Sequence, residues 1–388
     1  MPDIHASADP ASTSFAHNRG SRRGSWRFLL LLLSAPAAYG YQRLAAGFPE
    51  WVEHVYARGF YPAVVGRWSR LTGLIPFSLM EMLIALMAAA TPIFLLTWLV
   101  RTVRAGRGCR LRAFFRPLAL LAVVTALWYA ISVPLWNLHY SRPAFTALSG
   151  LRTQPADSAI LARTFERMTD AVNAARADVA EDENGVMRLR QDIRTTFARA
   201  ATGYDALAVR FPFLEGQYGS PKPVVLSPLM SYTRIIGLYT VTTAEANIDV
   251  DIPDPEIPFT ALHEMAHQRG IAREDEANAV AWFASRVHPD AEYRYSGALQ
   301  AWIYASNALR TADPASWERI SSRLADGVRR DLAAQSSYWS RFDSVVDKVA
   351  EKANDAWLKS NGQKDGTRSY GRMLDLIIAE LEADAAGR

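Results

Sequence analysis

Three apolar segments, separated by charged stretches, constrain the folding of this chain more than any other feature of its sequence. Residues 77–100 and residues 117–137 are each long enough to cross a bilayer as a helix. A third segment, at about residues 28–46, follows Arg22 and Arg23 and is compatible with either a signal peptide or a first spanning helix. Because further spans follow it, we predict that it is retained, which gives three membrane-spanning helices.

The loop between the last two predicted spans indicates an orientation. It contains six arginines, Arg101, Arg104, Arg107, Arg110, Arg112 and Arg116. Short basic loops stay on the cytoplasmic side of a membrane, so we place this loop and a disordered tail, residues 1–25, in the cytoplasm. Three crossings then divide the chain into a membrane domain, residues 26–137, and a C-terminal domain, residues 138–388, outside the cytoplasm.

Composition limits the remaining possibilities. The net charge is +4, and much of the basic excess lies beside apolar segments, so it indicates membrane topology and not a nucleic-acid partner. The chain has 388 residues, of which 50% are hydrophobic, and this is enough to bury a large core. Its one cysteine, Cys109, excludes an intrachain disulfide and a zinc cage made of cysteines.

The C-terminal domain contains the sequence HEMAHQRG at residues 263–270. In a helix, His263 and His267 lie on one face, four residues apart, and can bind one metal ion. Glu264 lies one position further round the helix and can accept a proton from an attacking water molecule. This HExxH pattern is that of zinc hydrolases, so we predict a Zn²⁺ site with Glu264 as the catalytic base.

A hydrolytic zinc site needs a third protein ligand. Histidine is scarce in the C-terminal domain, so we expect a carboxylate from the start of the next predicted helix, near residue 274. Glu274 and Glu276 project about 200° apart on an ideal helix, so only one of them can reach the ion. Helical geometry favours Glu274, which has Asn278 four residues later; Glu276 is the alternative, and His288 is a more distant one.

Two further features bear on substrate binding. An oxyanion that forms during hydrolysis needs a hydrogen-bond donor, and Tyr295, Tyr370 and Arg372 are the candidates. Residues 246–252 alternate apolar and polar side chains just before the zinc helix, which predicts an edge strand that holds an extended peptide by strand addition. Most other segments of the domain are helical, so the predicted fold class is α+β, with a small β-sheet beside the HExxH helix.

The zinc helix resembles that of the zincin metallopeptidases, and the order of features along nearly the whole chain is similar to that of a bacterial membrane-protein family known only as a domain of unknown function. The shared features are the N-terminal spans, the segments 229–232 and 245–247, the HEMAHQRG and EDEAN blocks, and a C-terminal stretch from Trp357 to Arg372. The resemblance implies a zincin-like fold with zinc at His263 and His267. It also implies that Asn278, where thermolysin-like enzymes have Asp, braces a histidine ligand.

We therefore expect a membrane-anchored, zinc-dependent peptidase at the inner (cell) membrane of a bacterium, with its catalytic domain facing the periplasm or the exterior. Its expected partners are the lipid bilayer and a peptide or protein substrate. The alternative is a non-catalytic, zincin-like sensor or scaffold with a structural zinc site. The intact Glu264 favours the enzyme, because a purely structural site has no use for a base.

Overall fold

The computed structural model describes residues 27–360 and 372–385, and the predicted disordered tail lies outside them. The described chain is mostly helical as far as Leu135. The α-helices of this part are α1 (Ser34–Ala45), α2 (Pro49–Trp51), α3 (Arg67–Gly73), α4 (Leu79–Arg104) and α5 (Arg110–Leu135). A 3-10 helix (Arg27–Leu33) precedes α1, and two π-helical segments (Val52–Phe60 and Pro62–Gly66) join α2 to α3.

Two of these helices, α4 and α5, are long and apolar enough to cross a membrane. The prediction of three spans is wrong within the described residues, because the segment at 28–46 forms no single long apolar helix. It is divided into a 3-10 helix and α1, whose 12 residues include Gln42 and Arg43 and extend only about 18 Å. Both pieces pack against α5.

The segment from α2 to α3, ahead of both long helices, packs against the C-terminal domain. The Glu53 carboxylate accepts a hydrogen bond from Arg142 at 2.7 Å, and the Ser69 hydroxyl donates to the carbonyl of Ala244 at 2.8 Å. These contacts join the chain before α4 to the chain after α5. The two segments therefore lie on one side of any membrane that α4 and α5 cross.

The C-terminal domain is mostly helical, with two small sheets. Its helices are α6 (Phe145–Ser149), α7 (Ser158–Arg176), α8 (Ile193–Arg199), α9 (Ala201–Ala208), α10 (Ser227–Ser231), α11 (Ile257–Gln268), α12 (Glu274–Arg286), α13 (Ala291–Ala312), α14 (Pro314–Ser321), α15 (Asp326–Ser340), α16 (Val345–Ser360) and α17 (Met373–Ala385). The strands are β1 (Ala180–Glu181), β2 (Met187–Arg188), β3 (Lys222–Pro223), β4 (Gly237–Thr240) and β5 (Glu245–Ile248). The α+β prediction is confirmed at this level.

The larger sheet has the order β3-β5-β4, with β5 parallel to β3 and antiparallel to β4. The prediction that residues 246–252 form an edge strand is wrong, because β5 is paired on both sides and all four of its residues are buried. The strand also ends before Asp249, a buried carboxylate that accepts a hydrogen bond from Ser231. A peptide cannot add to β5, whereas β4 lies at the edge of the sheet.

Helix α11 lies at the centre of the core, between α12, α13 and strands β4 and β5. Pro258 sits in its first turn, where no backbone N–H is needed, and Gly270 follows its end with φ of 78°. A Cβ at Gly270 would also collide with the buried His139 imidazole. Only glycine therefore fits the turn that leads from α11 to α12.

The start of α4 is fastened to β5 by buried charges. The Glu245 carboxylate accepts hydrogen bonds from the backbone N–H groups of Leu79 and Met80, at 3.3 and 3.1 Å, and forms a buried ion pair with Lys222. Ser78 caps the helix by accepting from the N–H of Glu81 and donates to Asn247 at 2.6 Å. An acidic group at a helix N-terminus is also favoured by the helix dipole.

We predict that Glu245→Ala lowers the free energy of unfolding by about 3–5 kcal/mol, because it leaves the buried Lys222 ammonium without its carboxylate. Urea unfolding of the detergent-solubilised protein measures this. The matched control is Arg319→Ala in the exposed pair with Glu166, which should cost at most about 1 kcal/mol. Equal losses in the two variants would contradict the role given to Glu245.

Candidate metal centre

Three side chains from α11 and α12 converge on one point. The Nε2 atoms of His263 and His267 lie 3.1 Å apart, and the Glu274 Oε2 lies 3.2 Å from the first and 3.6 Å from the second. In a tetrahedral zinc site with bonds of about 2.0–2.1 Å, neighbouring ligand atoms are separated by about 3.3 Å. The three atoms are therefore spaced as three ligands of one such ion would be, and they are the donor types that zinc prefers.

The local sequence explains this convergence. His263 and His267 are one helical turn apart on α11, and Glu274 is the first residue of α12, which the Gly270 turn folds back onto α11. The His267 Nδ1–H donates to the carbonyl of Ile271 at 2.7 Å, which leaves Nε2 directed at the shared point. The carbonyl that braces this ligand thus belongs to the turn itself.

Charges within the site reinforce each other. Burial opposes ionisation of Glu274, but the charge of His267 and a hydrogen bond from His263 outweigh it and lower the pKa of this carboxyl. Burial alone would lower the pKa of His267, yet the nearby Glu274 carboxylate raises it to about 9. The Glu274 carboxylate and the His267 imidazolium thus stabilise each other, and a bound cation can take the place of the His267 proton.

Glu264 lies beside these three side chains and is buried. Its Oε2 has no hydrogen-bond partner among the described residues. Burial raises the pKa of this carboxyl, although His263, His267 and the backbone N–H of Tyr239 on β4 act in the opposite direction. A buried acceptor that lacks a protein partner is costly, so this oxygen is suited to a water molecule or a substrate.

Of the two proposed acidic ligands, the structure brings only Glu274 to the histidines. Glu276 is half-buried, and its Oε1 accepts a hydrogen bond from the backbone N–H of Phe145 at 2.8 Å. Asn278, the predicted brace, points its amide at the Tyr304 hydroxyl at 3.5 Å. The Ile271 carbonyl stands in the bracing position at His267 instead.

The other sequence candidates are engaged with other partners or lie outside the described residues. The Tyr295 hydroxyl donates to Asp331, the Arg372 guanidinium pairs with Asp275 at 3.4 Å, and Tyr370 is outside the described residues. His288 contacts Thr202 and the carbonyl of Arg199. Tyr295 and His288 are thus occupied with packing and hydrogen bonds of the helical core.

Sequence reasoning missed four aromatic residues around the site. The Trp136 ring is 5.9 Å from the His267 ring and 5.0 Å from that of Tyr239. Tyr140 and Tyr304 lie close enough that the Glu274 charge adds to burial in raising their pKa, for Tyr304 to about 12. Trp136 directly follows the last long apolar helix, and this position is the one feature of the sequence that could have identified it as a residue near the site.

The metal ligands are shielded from bulk water. The exposed fractions of the His263, His267 and Glu274 side chains are 12%, 9% and 11%. Two surface pockets lie elsewhere: one is lined by residues that include Arg199 and Asp290, and the other by residues that include Arg269. Shielding strengthens every electrostatic interaction inside the site.

Comparison with known families gives one match. A family model described as "Protein of unknown function (DUF3810)" matches residues 56–378, which is most of the chain and includes both α11 and α12. No curated protein and no solved structure matches the chain.

Proposed function

The chain belongs to the DUF3810 family of proteins of unknown function, and we propose that it is a membrane-anchored, zinc-dependent peptidase. The observation that carries this proposal is the spacing of three ligand atoms, at 3.1, 3.2 and 3.6 Å, beside a buried carboxylate. A hydrolytic zinc site uses three protein ligands and a neighbouring base. A digest of a peptide library by the zinc-loaded protein tests it, since new peptide termini are the direct product of such an enzyme.

His263, His267 and Glu274 would hold the ion, and zinc in that position supplies a Lewis acid that activates water and polarises a carbonyl. Glu264 takes a proton from the attacking water while the water oxygen bonds to the amide carbon. Glu264 then gives this proton to the amine nitrogen as the C–N bond breaks, so that one water is added across the amide. The buried Oε2 of Glu264, which accepts no hydrogen bond within the described part of the chain, is the atom suited to this transfer.

We further propose that α4 and α5 both cross the inner (cell) membrane of a bacterium. The loop between them is basic, with Arg107 at its centre and arginines in the flanking helix ends, and the positive-inside rule assigns it to the cytoplasm. The metal site then faces the periplasm or the exterior. The packing of the segment before α4 onto the C-terminal domain supports an even number of crossings between them.

Gly237 on β4 provides a test of the base that does not change the base itself. A Cβ at this position would lie 2.7 Å from Cγ of Glu264 and would displace its carboxylate. We expect Gly237→Ala to slow peptide hydrolysis by about tenfold to a hundredfold while zinc content is unchanged. Gly106→Ala, which meets nothing within 4 Å, is the control. Unchanged hydrolysis in the Gly237 variant would argue against Glu264 as base.

A further inference from the structure

The end of α5 lies directly against the metal ligands. This helix, the second of the two long apolar helices, ends at Leu135, and the next residue is Trp136. The Trp136 ring meets the ring of His267 edge-to-face, at 5.9 Å between centroids. Only one aromatic ring therefore separates a metal-binding imidazole from the end of a spanning helix.

The start of α4 is fastened to the sheet that borders the site. Ser78, the cap of α4, donates to the Asn247 side chain on β5, and the amide of Asn247 donates to the carbonyl of Leu238 on β4 at 3.2 Å. Strand β4 contributes the Tyr239 backbone N–H that acts on Glu264. Both spanning helices thus end at the elements that form the metal centre, and the membrane surface passes close to it.

The segment from the end of β3 into β4 carries exposed apolar side chains and contacts the start of α4. Glu81, in the first turn of α4, accepts hydrogen bonds from the backbone N–H groups of Val225 and Leu226, at 3.0 and 2.6 Å. The exposed side chains, which we call the apolar patch, are Val225 (76% exposed), Leu226 (49%), Leu229 (61%), Tyr232 (47%), Ile235 (40%) and Leu238 (42%). The patch is continuous with α4, and Leu238 lies on the strand beside Glu264.

We propose that the apolar patch rests in the outer surface of the bilayer, and that the substrate is a polypeptide anchored in the same bilayer and cut where it leaves the membrane. This inference rests on the proposed peptidase function. Exposed apolar side chains beside the end of a spanning helix are stable against lipid and unfavourable against water. Anchoring also confines enzyme and substrate to one surface, which raises the effective concentration of the substrate at the site.

The test uses the full-length protein in vesicles of phosphatidylethanolamine and phosphatidylglycerol. A randomised peptide library is supplied in two forms, one fused to a single spanning helix in the same vesicles and one free in solution. We expect the anchored form to be cut at least tenfold faster. We also expect the cuts to lie within about ten residues of the anchor, since ten extended residues reach about 35 Å at most.

A patch variant separates this inference from the function on which it rests. Val225→Gln combined with Leu229→Gln should slow cleavage of the anchored library and leave that of the free library unchanged. Val209→Gln is the control, because Val209 is 86% exposed and lies outside the patch. Equal rates on both libraries, or no effect of the patch variant, would contradict the proposal of a membrane-anchored substrate. Neither result would contradict the proposed peptidase function. No cleavage of either library by zinc-loaded protein would overturn both.

Discussion

Glu264→Gln is expected to slow peptide hydrolysis severely while the protein keeps its metal. The substitution preserves the shape of the side chain and an oxygen that can accept from the Tyr239 N–H, but it removes the ability to accept and return a proton. General-base catalysis contributes about 10²–10⁴-fold, so the rate should fall by that factor or more. The measurement is the appearance of new peptide termini from the library, alongside elemental analysis for zinc.

Two controls give this result its meaning. Glu166→Gln changes an exposed carboxylate in a surface ion pair and should leave both activity and zinc unchanged. Thermal unfolding of Glu264→Gln should show that the fold is intact. Cleavage at the wild-type rate by Glu264→Gln would contradict the role of Glu264 as the base. A wild-type protein that binds zinc but cleaves no peptide would favour a sensor or scaffold.

Zinc affinity should separate the two acidic residues at the start of α12. We expect Glu274→Gln to weaken zinc binding by more than about 100-fold, which is the upper end of losses from residues that only support a ligand. Glu276→Gln is the matched control, because Glu276 lies two residues away, is half-buried and accepts a hydrogen bond from the N–H of Phe145. Glu276→Gln should lower the stability of the fold and leave the zinc affinity unchanged.

Competition titration with a chromophoric zinc chelator measures both affinities. His263→Ala extends the series and should lose zinc altogether, since its Nε2 lies 3.1 and 3.2 Å from the other two donor atoms. A loss of affinity in Glu276→Gln that equals or exceeds that in Glu274→Gln would contradict the ligand set.

The local parts of the site can be read from the sequence because they depend on helical spacing. His263 and His267 share a face through the four-residue period of α11, and Gly270 marks the turn that brings in α12. The choice between Glu274 and Glu276 follows from the same period. The zinc itself stays a prediction, which the titration addresses.

The parts that sequence reasoning missed depend on contacts between distant segments. Residues 246–252 alternate like an edge strand, yet β5 pairs on both sides because Lys222–Pro223 adds to it from more than twenty residues upstream. The approach of Trp136 to His267 joins residues 131 positions apart, for which no periodicity exists. The prediction of three spans was wrong for a local reason. Hydropathy does not show that the segment at 28–46 divides into two short helices.

Anomalous X-ray diffraction at the zinc absorption edge, on crystals of the full-length protein grown with zinc, tests the metal centre most directly. We predict one anomalous peak within about 2.0–2.2 Å of the Nε2 atoms of His263 and His267 and of a Glu274 carboxylate oxygen. No peak at that point, with the side chains ordered, would contradict the account. A peak held by Glu276 in place of Glu274 would contradict the ligand set.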